Sequence, residues 1–332
     1  MKKSKKLIII AALFLLLSTG CTKYMSDSNH KRVINEVTGQ ALTSNILCLP
    51  SDKALLEKYK KNKEHLDVDY KKLKPCKEFK LNQVKYNSLW ESVFVKPLAL
   101  ALIKTGNLVK NYGLAVIIIG ALIRLLLLPF TKKSLMQSEN MKKANPELQR
   151  IQKKYGNSKD QAAAMQMSSE MMAVYKKYDI NPASGCIVAL VQLPILFAFL
   201  EAINRVPAIF EDSFLTLQLG TTPSFGIKTG NLLYIVLVLL IIVSTYFSYK
   251  YSMNQSTGNE EQDKQMGMMM KFMIIFISIA SLSLPTALAL YWIISNLLTM
   301  IQNVYIKWRL NSNEVKVVIK DKKENSKKKK GK

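Results

Sequence analysis

Residues 120–129 read Gly-Ala-Leu-Ile-Arg-Leu-Leu-Leu-Leu-Pro, so that a single arginine, Arg124, lies inside a long apolar run. The next basic residue is Lys132, which places Arg124 roughly 12 Å from the end of a helical span. An arginine at that depth in a bilayer costs several kcal/mol, and it cannot lose its proton to escape that cost. None of the predicted spans contains an aspartate or glutamate within its apolar part, and Glu201 lies near the outer end of the second span. We therefore predict a water-filled recess around Arg124 rather than an intramembrane ion pair.

Four more apolar segments follow the one that contains Arg124. Each is close to the length of roughly 20 residues that an α-helix needs to cross the hydrocarbon of a membrane. Pro285 separates the last two, so the turn between them must be tight. We predict an all-α polytopic membrane protein with five transmembrane helices. The predicted spans are residues 112–130, 185–204, 232–249, 268–284 and 286–307.

The distribution of charge predicts how these helices cross the membrane. The chain has 332 residues, a formal net charge of +25 and 49% hydrophobic residues, and its lysines gather between the apolar blocks. The segment 131–184 is rich in lysine and arginine, as is the tail 311–332, whereas residues 206–230 contain a single basic residue, Lys228. Because basic loops stay in the cytoplasm, we expect both basic segments there and the C-terminus inside the cell.

The N-terminus has the pattern of a bacterial export signal. Lysines 2, 3, 5 and 6 precede an apolar stretch that is too short for a comfortable span. The segment 17–21, Leu-Ser-Thr-Gly-Cys, resembles a lipoprotein cleavage site, which would make residues 1–20 a signal peptide and Cys21 a lipidated residue. An uncleaved anchor or an ordinary secretory signal is the alternative. In each case residues 21–88 are expected outside the cell, where Cys48 and Cys76 either form a disulfide or remain two thiols.

Two helical features accompany the predicted spans. From residue 89 an apolar face interrupted by Glu91 and Lys96 predicts an amphipathic helix in the outer interface. Residues 131–184 predict a cytoplasmic hairpin of two amphipathic helices, with Pro146 starting a helical stretch anew. The methionines of this hairpin either seal it or form a peptide-binding surface.

Polar residues within the predicted spans are candidates to line the recess around Arg124. Each of them alone has an ordinary structural explanation, since hydroxyl groups often bond their own helix and tryptophan often lies at membrane interfaces. The candidates are Gln192 in the second span, Ser244 and Thr245 in the third, and Tyr291, Trp292, Ser295, Asn296, Thr299 and Gln302 in the fifth.

The sequence contains no arrangement that predicts catalysis or a bound cofactor. Both histidines, His30 and His65, fall in the exported region. We find no pair of intramembrane acids, no cluster of metal ligands, no glycine-rich phosphate loop and no nucleic-acid module. We therefore expect no catalytic residues, no metal, no cofactor and no DNA partner, and a protein that is not an enzyme.

Several short motifs, taken in order, resemble the YidC/Oxa/Alb family of membrane protein insertases, in the lipoprotein form found in bacteria with a single membrane. The resemblance covers about residues 89–310 and rests on the arginine-to-proline stretch 124–129, Pro-Glu-Leu at 146–148, Tyr-Asp-Ile-Asn-Pro at 178–182, Gln-Leu-Pro-Ile at 192–195 and Leu-Tyr-Trp-Ile at 290–293. It implies a five-helix core with a hydrophilic groove that opens to the cytoplasm and to lipid. Arg124 matches the groove arginine of that family, and Gln192, Tyr291 and Trp292 match positions that line the groove or touch the substrate.

We therefore expect an insertase and chaperone that moves nascent membrane proteins from the cytoplasm into the bilayer without nucleotide hydrolysis. The alternatives are a small-solute transporter or channel, and a structural factor for membrane-protein assembly. The resemblance also implies a Sec translocon as partner. The lysine-rich tail either docks ribosomes or lies against anionic lipid. The expected location is the bacterial plasma membrane, with the N-terminus lipid-anchored outside.

Overall fold

The chain is built mostly from helices. The computed structural model describes residues 22–81, 88–156, 160–181, 184–253 and 260–330, and only the backbone of residues 184–191, 252–253, 260–263, 265–266, 269 and 310–330. The helices are α1 (Lys53–Lys61), α2 (Lys96–Val109), α3 (Tyr112–Leu126), α4 (Leu128–Tyr155), α5 (Gln161–Lys177), α6 (Ser184–Asn204), α7 (Pro223–Lys228), α8 (Leu233–Met253), α9 (Glu260–Ser283) and α10 (Thr286–Lys330). The structure also contains two antiparallel strand pairs: β1 (Ile34–Asn35) with β2 (Gln40–Ala41), and β3 (Ser213–Phe214) with β4 (Leu217–Gln218).

Residues 22–81 form a small folded unit, which we call the cap. The Asp52 side chain accepts a hydrogen bond from the Leu55 amide and so caps the start of α1. Leu55 and Tyr59, one turn apart, point into a small apolar core with Met25 and Ile46. A disulfide joins Cys48 to Cys76, and both cysteines are buried.

The helical body is organised around α10, which packs against α8 and α3. Helix α2, preceded by a turn of π-helix at Glu91–Val95, packs against α3, and α9 packs against α8. Helices α4 and α5 pack against each other as the predicted hairpin. Apolar residues from α2, α3, α6, α8 and α10 bury one another in a single cluster.

Helices α3 and α4 meet at Leu127 with a bend of 54°. Pro129, near the start of α4, has no N–H to offer the carbonyl of Leu125, and a proline ring commonly bends a helix at this point. Pro146, in contrast, lies inside the continuous helix α4, so the prediction that it begins a new helix is wrong. Packing supports α4 across this proline, because Ala144 and Leu148 on either side of it are buried against α5.

The two ends of the body differ in what they contact. Helix α3 begins close to the cap, where the Tyr112 amide donates to the Asp212 carboxylate at 2.6 Å, and Asp212 follows Glu211, which contacts the cap. The same helix ends where the hairpin begins, roughly 22 Å away at 1.5 Å per residue. We call these two ends the cap end and the hairpin end.

Three helices among the described residues are long and apolar enough to cross a membrane by length and composition: Glu91–Val109, Leu233–Tyr251 and Thr286–Arg309. The bent pair α3–α4 makes a fourth if it is one span. Residues 192–204 and 270–283 form shorter apolar helices. The third and fifth predicted spans therefore have their counterparts, whereas the count of five stays a prediction.

Candidate functional site

Arg124 lies on α3 one turn before the bend and is half-buried. Its Nε donates a hydrogen bond to Ser295 Oγ on α10 at 2.6 Å. Its backbone carbonyl accepts a hydrogen bond from Gln302 Nε2 at 3.1 Å, so α10 also satisfies a carbonyl at the end of α3. Within the described part of the chain, no carboxylate lies at ion-pair distance from the guanidinium. Among the described residues, the positive charge is therefore held by a hydroxyl and has no counter-charge.

Tyr291 lies beside this arginine and is almost completely buried. Its ring stacks on Phe199 of α6 with the centroids 4.2 Å apart, and its buried hydroxyl lies near Gln192 and Ser295 without a hydrogen bond to either. A Cβ atom on Gly120 would meet the Tyr291 ring at 3.0 Å. The glycine therefore lets α3 and α10 approach each other closely next to Arg124.

A second polar cluster lies between α8 and α10. Asn296 Nδ2 donates to Thr245 Oγ1 at 2.9 Å and to Ser244 Oγ at 3.3 Å. Ser244 and Thr245 are both buried. These three residues thus satisfy one another and join two helices, as polar side chains commonly do within membranes.

The predicted site residues therefore separate into two sets on different faces of α10. Tyr291, Ser295 and Gln302 recur at helical spacing on the face toward α3, whereas Asn296 faces α8. Trp292 is partly buried against the apolar cluster. Ser295 and Gln302 are the direct partners of Arg124, and their i, i+7 spacing was the signal that could have ranked them above Trp292.

An apolar recess of about 350 Å³ lies between α3, α8, α10 and the β3–β4 turn. Its lining is almost wholly hydrocarbon. Leu233, Val236 and Leu240 of α8 and Leu297 of α10 also have exposed side chains there. Arg124, which is held by a hydroxyl, and the apolar recess thus both lie along the same two helices, α3 and α10.

A buried group of four charged residues, which we call the charge network, lies at the cap end. Arg205 Nη1 is 3.0 Å from Glu201 Oε1 and 3.2 Å from Glu91 Oε2, and Lys96 Nζ is 3.2 Å from Glu91 Oε1. Trp90 Nε1 donates to Glu201 Oε2 at 2.9 Å. Glu91 and Lys96, which were predicted to interrupt the apolar face of an interfacial helix, are buried and pair with one another inside the protein, whereas the interfacial position of this helix stays a prediction. Arg205, the second partner of Glu91, is 114 positions away in the sequence, so local periodicity could not reveal it.

The hairpin is held by polar pairs between its two helices as well as by its apolar core. Glu147 accepts hydrogen bonds from Lys177 Nζ at 2.6 Å and from the Tyr178 hydroxyl at 2.7 Å, and these two donors lower the pKa of Glu147. Glu170 accepts from Lys154 at 2.7 Å and from Tyr155 at 2.8 Å, and its pKa is lowered for the same reason.

The methionines of the hairpin divide between the two readings made from sequence. Met167 and Met171 pack against the hairpin core, whereas Met165 and Met172 are exposed. The first pair seals the hairpin, and the second pair leaves apolar, adaptable side chains at its surface.

The remaining predicted sites are at the N-terminal side of the chain. Cys21 and the signal segment 1–20 lie outside the described residues. Cys48 and Cys76 are joined as a disulfide within the cap. Across the described ranges, no group of three or more His, Cys, Asp or Glu side chains is arranged to hold a metal ion.

The long apolar helices define a helical membrane protein, and comparison with known proteins gives its family. The family model described as 60Kd inner membrane protein matches residues 104–313. The chain is 36% identical over 219 residues to the membrane protein insertase MisCA of Bacillus subtilis (strain 168), which covers 66% of this chain and 79% of that protein.

Two further relatives are also named membrane protein insertases. The chain is 34% identical over 223 residues to the membrane protein insertase YidC of Oceanobacillus iheyensis, covering 66% of this chain and 84% of that protein. It is 35% identical over 224 residues to the membrane protein insertase YidC 2 of Bacillus anthracis, with 67% and 83% covered. The chain belongs to the 60Kd inner membrane protein family of insertases, and the family predicted from its motifs is confirmed.

Proposed function

We propose that this member of a membrane protein insertase family takes nascent membrane proteins from the cytoplasm into the bilayer through a hydrophilic groove around Arg124. The observation that carries the proposal is the partner of that arginine, a serine hydroxyl rather than a carboxylate among the described residues. A half-buried guanidinium without a counter-charge attracts acidic or polar segments, and more strongly than in bulk water because the protein around it lowers the effective dielectric constant. No nucleotide is needed, since burial of the apolar segment of the substrate in lipid drives the step.

The apolar recess, whose lining on α3 is Ile117, two helical turns before Arg124, supplies the second half of the proposed path. A substrate whose polar stretch is drawn toward Arg124 can lay its hydrophobic segment along α3, α8 and α10, where the recess opens between exposed leucines and valines. Gln192 and Tyr291 line the groove next to Arg124 in this proposal, and Trp292 contacts the substrate as it passes. Ser244, Thr245 and Asn296 hold α8 against α10 beside the path.

We further propose the arrangement of the chain in the membrane. Residues 1–20 are a signal peptide, Cys21 is lipidated and 21–88 are exported, so that the cap end lies outside the cell. Residues 89–310 form a five-span core, and the hairpin 131–184 and the tail 311–332 lie in the cytoplasm. The hairpin captures substrates, with Met165 and Met172 as adaptable contacts. The basic tail docks ribosomes, and a Sec translocon is a further partner.

The test is the insertion of a short-tailed membrane protein into proteoliposomes that contain wild-type protein, Arg124→Ala or Arg124→Lys. We expect Ala to reduce the rate of insertion at least about tenfold, which corresponds to a loss of about 1.4 kcal/mol of attraction. Lys is expected to restore most of the rate, because it keeps the charge.

Arg309→Ala serves as the control, since it removes an exposed arginine of the same helix that contacts Arg124. If folded Arg124→Ala protein inserts the substrate at the wild-type rate, the charge of Arg124 is not what the groove uses.

A further inference from the structure

The cap shares its apolar interior with the helical body. Leu47, Cys48, Cys76 and Phe79 of the cap belong to the same buried cluster as Ile203 at the end of α6. A domain that merely hung from a linker would bury its own residues and leave that junction to solvent. The disulfide therefore cross-links the part of the cap that packs on the body.

The backbone of Arg205 and its side chain both bind the cap. Arg205 Nε donates to the carbonyl of Asn45 at 2.7 Å, and the Leu47 amide donates to the carbonyl of Arg205 at 2.9 Å. Next to them, Thr43 Oγ1 donates to the carbonyl of Asn204 at 2.8 Å. These bonds connect one continuous stretch of the cap to the last residues of α6 in both directions.

Arg205 at the same time joins α6 to the start of α2 through the charge network. The side chain is only 1% exposed, so its charge must be compensated inside the protein. Glu91 and Glu201 provide that compensation, and Lys96 balances the second negative charge. Since the Asn45 carbonyl is the acceptor for Nε of Arg205, the guanidinium loses this hydrogen bond when the cap is not in place.

The cap holds a third segment through contacts away from Arg205. Glu211 Oε1 accepts hydrogen bonds from the amides of Ser51 and Asp52 at 2.5 and 3.1 Å, where α1 begins. Gly39, at a φ of +68°, lies directly against the ring of Phe225 in α7. The cap thus touches the end of α6, the 207–211 turn and α7, and reaches α2 through Arg205.

An apolar layer separates this end of the molecule from Arg124. Phe199, Ala202 and Ile203 of α6 and Ala287 of α10 are fully buried between the charge network and Tyr291. Such a layer excludes water and ions only while the helix ends around it stay together. We propose that the cap closes the body at the cap end. It holds the helix ends there together through Arg205 and so keeps the polar site at Arg124 from connecting to the opposite side of the membrane.

The first experiment asks whether Arg205 holds the cap. A protease site is placed within residues 82–87 of the full chain, and the purified protein is cleaved in detergent. We expect the cap to stay bound after cleavage of the wild type and to be released from Arg205→Met. Arg32→Met, which removes an exposed arginine of the cap, is the control and should retain it. Retention of the cap by folded Arg205→Met would overturn the assignment of Arg205.

The second experiment asks whether the cap closes the body. Proton leak is measured in proteoliposomes without any substrate, so its outcome is independent of whether the protein inserts membrane proteins through Arg124. We expect cleaved Arg205→Met to leak at least tenfold faster than cleaved wild type or cleaved Arg32→Met. An unchanged leak after the cap has been released would overturn the proposal.

A second variant covers the case in which Arg205→Met does not fold. Thr43→Ala with Glu211→Gln weakens two contacts between cap and body and leaves the charge network intact. After cleavage and a wash with mild denaturant this variant should lose its cap before the wild type does, with the same rise in leak. A cap that is lost while the liposomes stay tight counts against closure here too.

Discussion

At the scale of single residues, Arg124 depends on one hydroxyl group. Ser295 accepts the hydrogen bond from Nε of Arg124, and Gln302, on the same helix as Ser295, donates to the backbone carbonyl of Arg124. Both contacts come from α10, so the position of the charge is decided by the packing of α10 on α3. Arg124 alone would be able to point its half-exposed guanidinium in several directions.

Ser295→Ala should lower the rate of insertion without abolishing it. The substitution leaves Nε of Arg124 without its acceptor, a loss of about 1 kcal/mol, or roughly fivefold, because water reaches a half-buried guanidinium. Ser278→Ala is the control, since that hydroxyl bonds only the carbonyl of Ile274 in its own helix. The two variants are compared in the proteoliposome assay at equal protein density, and equal rates for both would show that Ser295 does not orient Arg124.

Gly120→Ala should destabilise the protein by about 1 to 3 kcal/mol. The added methyl group would press on the Tyr291 ring, and overpacking of this kind outweighs the gain of up to about 1 kcal/mol in helix propensity. Gly267→Ala is the matched control, because its Cβ would meet no atom within 4 Å. Thermal unfolding in detergent should show a lower midpoint for the first variant only; a rise for both would mean that α3 and α10 have room at Gly120.

At the scale of elements, the hairpin shows how a prediction can be right in outline and wrong in detail. Two helices pack as a hairpin, as the polar periodicity of 131–184 indicated, but α4 continues through Pro146. The cost of a proline inside a helix is about 3 kcal/mol, and the burial of Ala144, Leu148 and Ile151 against α5 offsets it. Propensity is local, whereas this compensation comes from another helix.

The hairpin should loosen when its inter-helix carboxylates are neutralised. The folded pKa values of Glu147 and Glu170 are lowered by their lysine and tyrosine donors, so their stabilisation is present above the unfolded pKa of about 4.3 and is lost as pH falls through the folded values. The variant Glu147→Gln/Glu170→Gln should therefore exchange amide hydrogens in α4 and α5 faster than wild type at pH 7. That difference should shrink as pH falls below about 4.3 and disappear once pH is below the folded pKa values.

Glu139→Gln is the control for the hairpin, because Glu139 pairs with Lys142 of its own helix and its other neighbouring cation, Lys307, lies in α10 rather than in α5. It should leave exchange between the two helices unchanged. A difference between the double variant and wild type that persisted at low pH would mean that shape, and not charge, explains the effect.

At the scale of the whole molecule, the cap and the body share one buried apolar cluster. The disulfide closes a loop with its cysteines 28 positions apart, which limits the unfolded cap and contributes about 3 to 4 kcal/mol in the chain-entropy model. Because Cys48 and Cys76 lie in the shared apolar cluster, this stabilisation should extend to the segment that the cap covers.

The variant Cys48→Ala/Cys76→Ala should lose hydrogen-exchange protection in the cap and at residues 203–211 together. The α4–α5 hairpin, at the other end of α3, should keep its protection and acts as an internal reference in the same sample. Loss confined to residues 22–81 would show that the cap unfolds independently of the body.

Most of what decides the class of this protein is local in the sequence. Apolar runs of about 20 residues can be stable only where lipid or protein surrounds them, and lysines between them follow from the cost of charge in a bilayer. The family motifs and the lone Arg124 are likewise readable along the chain, since each is a short stretch in a particular context. The membrane class and the family could therefore be predicted, whereas the role of Arg124 stays a prediction.

The partners of the charged residues were decided only in three dimensions. Ser295 became the acceptor for Arg124 because α10 packs on α3, 171 positions away in sequence. Glu91 and Lys96 were predicted to interrupt an apolar face, yet they are buried as a pair, and Arg205 reaches Glu91 from the end of α6. A charge in a low-dielectric interior is stable only beside its counter-charge, and the pairing of distant segments that provides it is a property of the packing, which no local pattern contains.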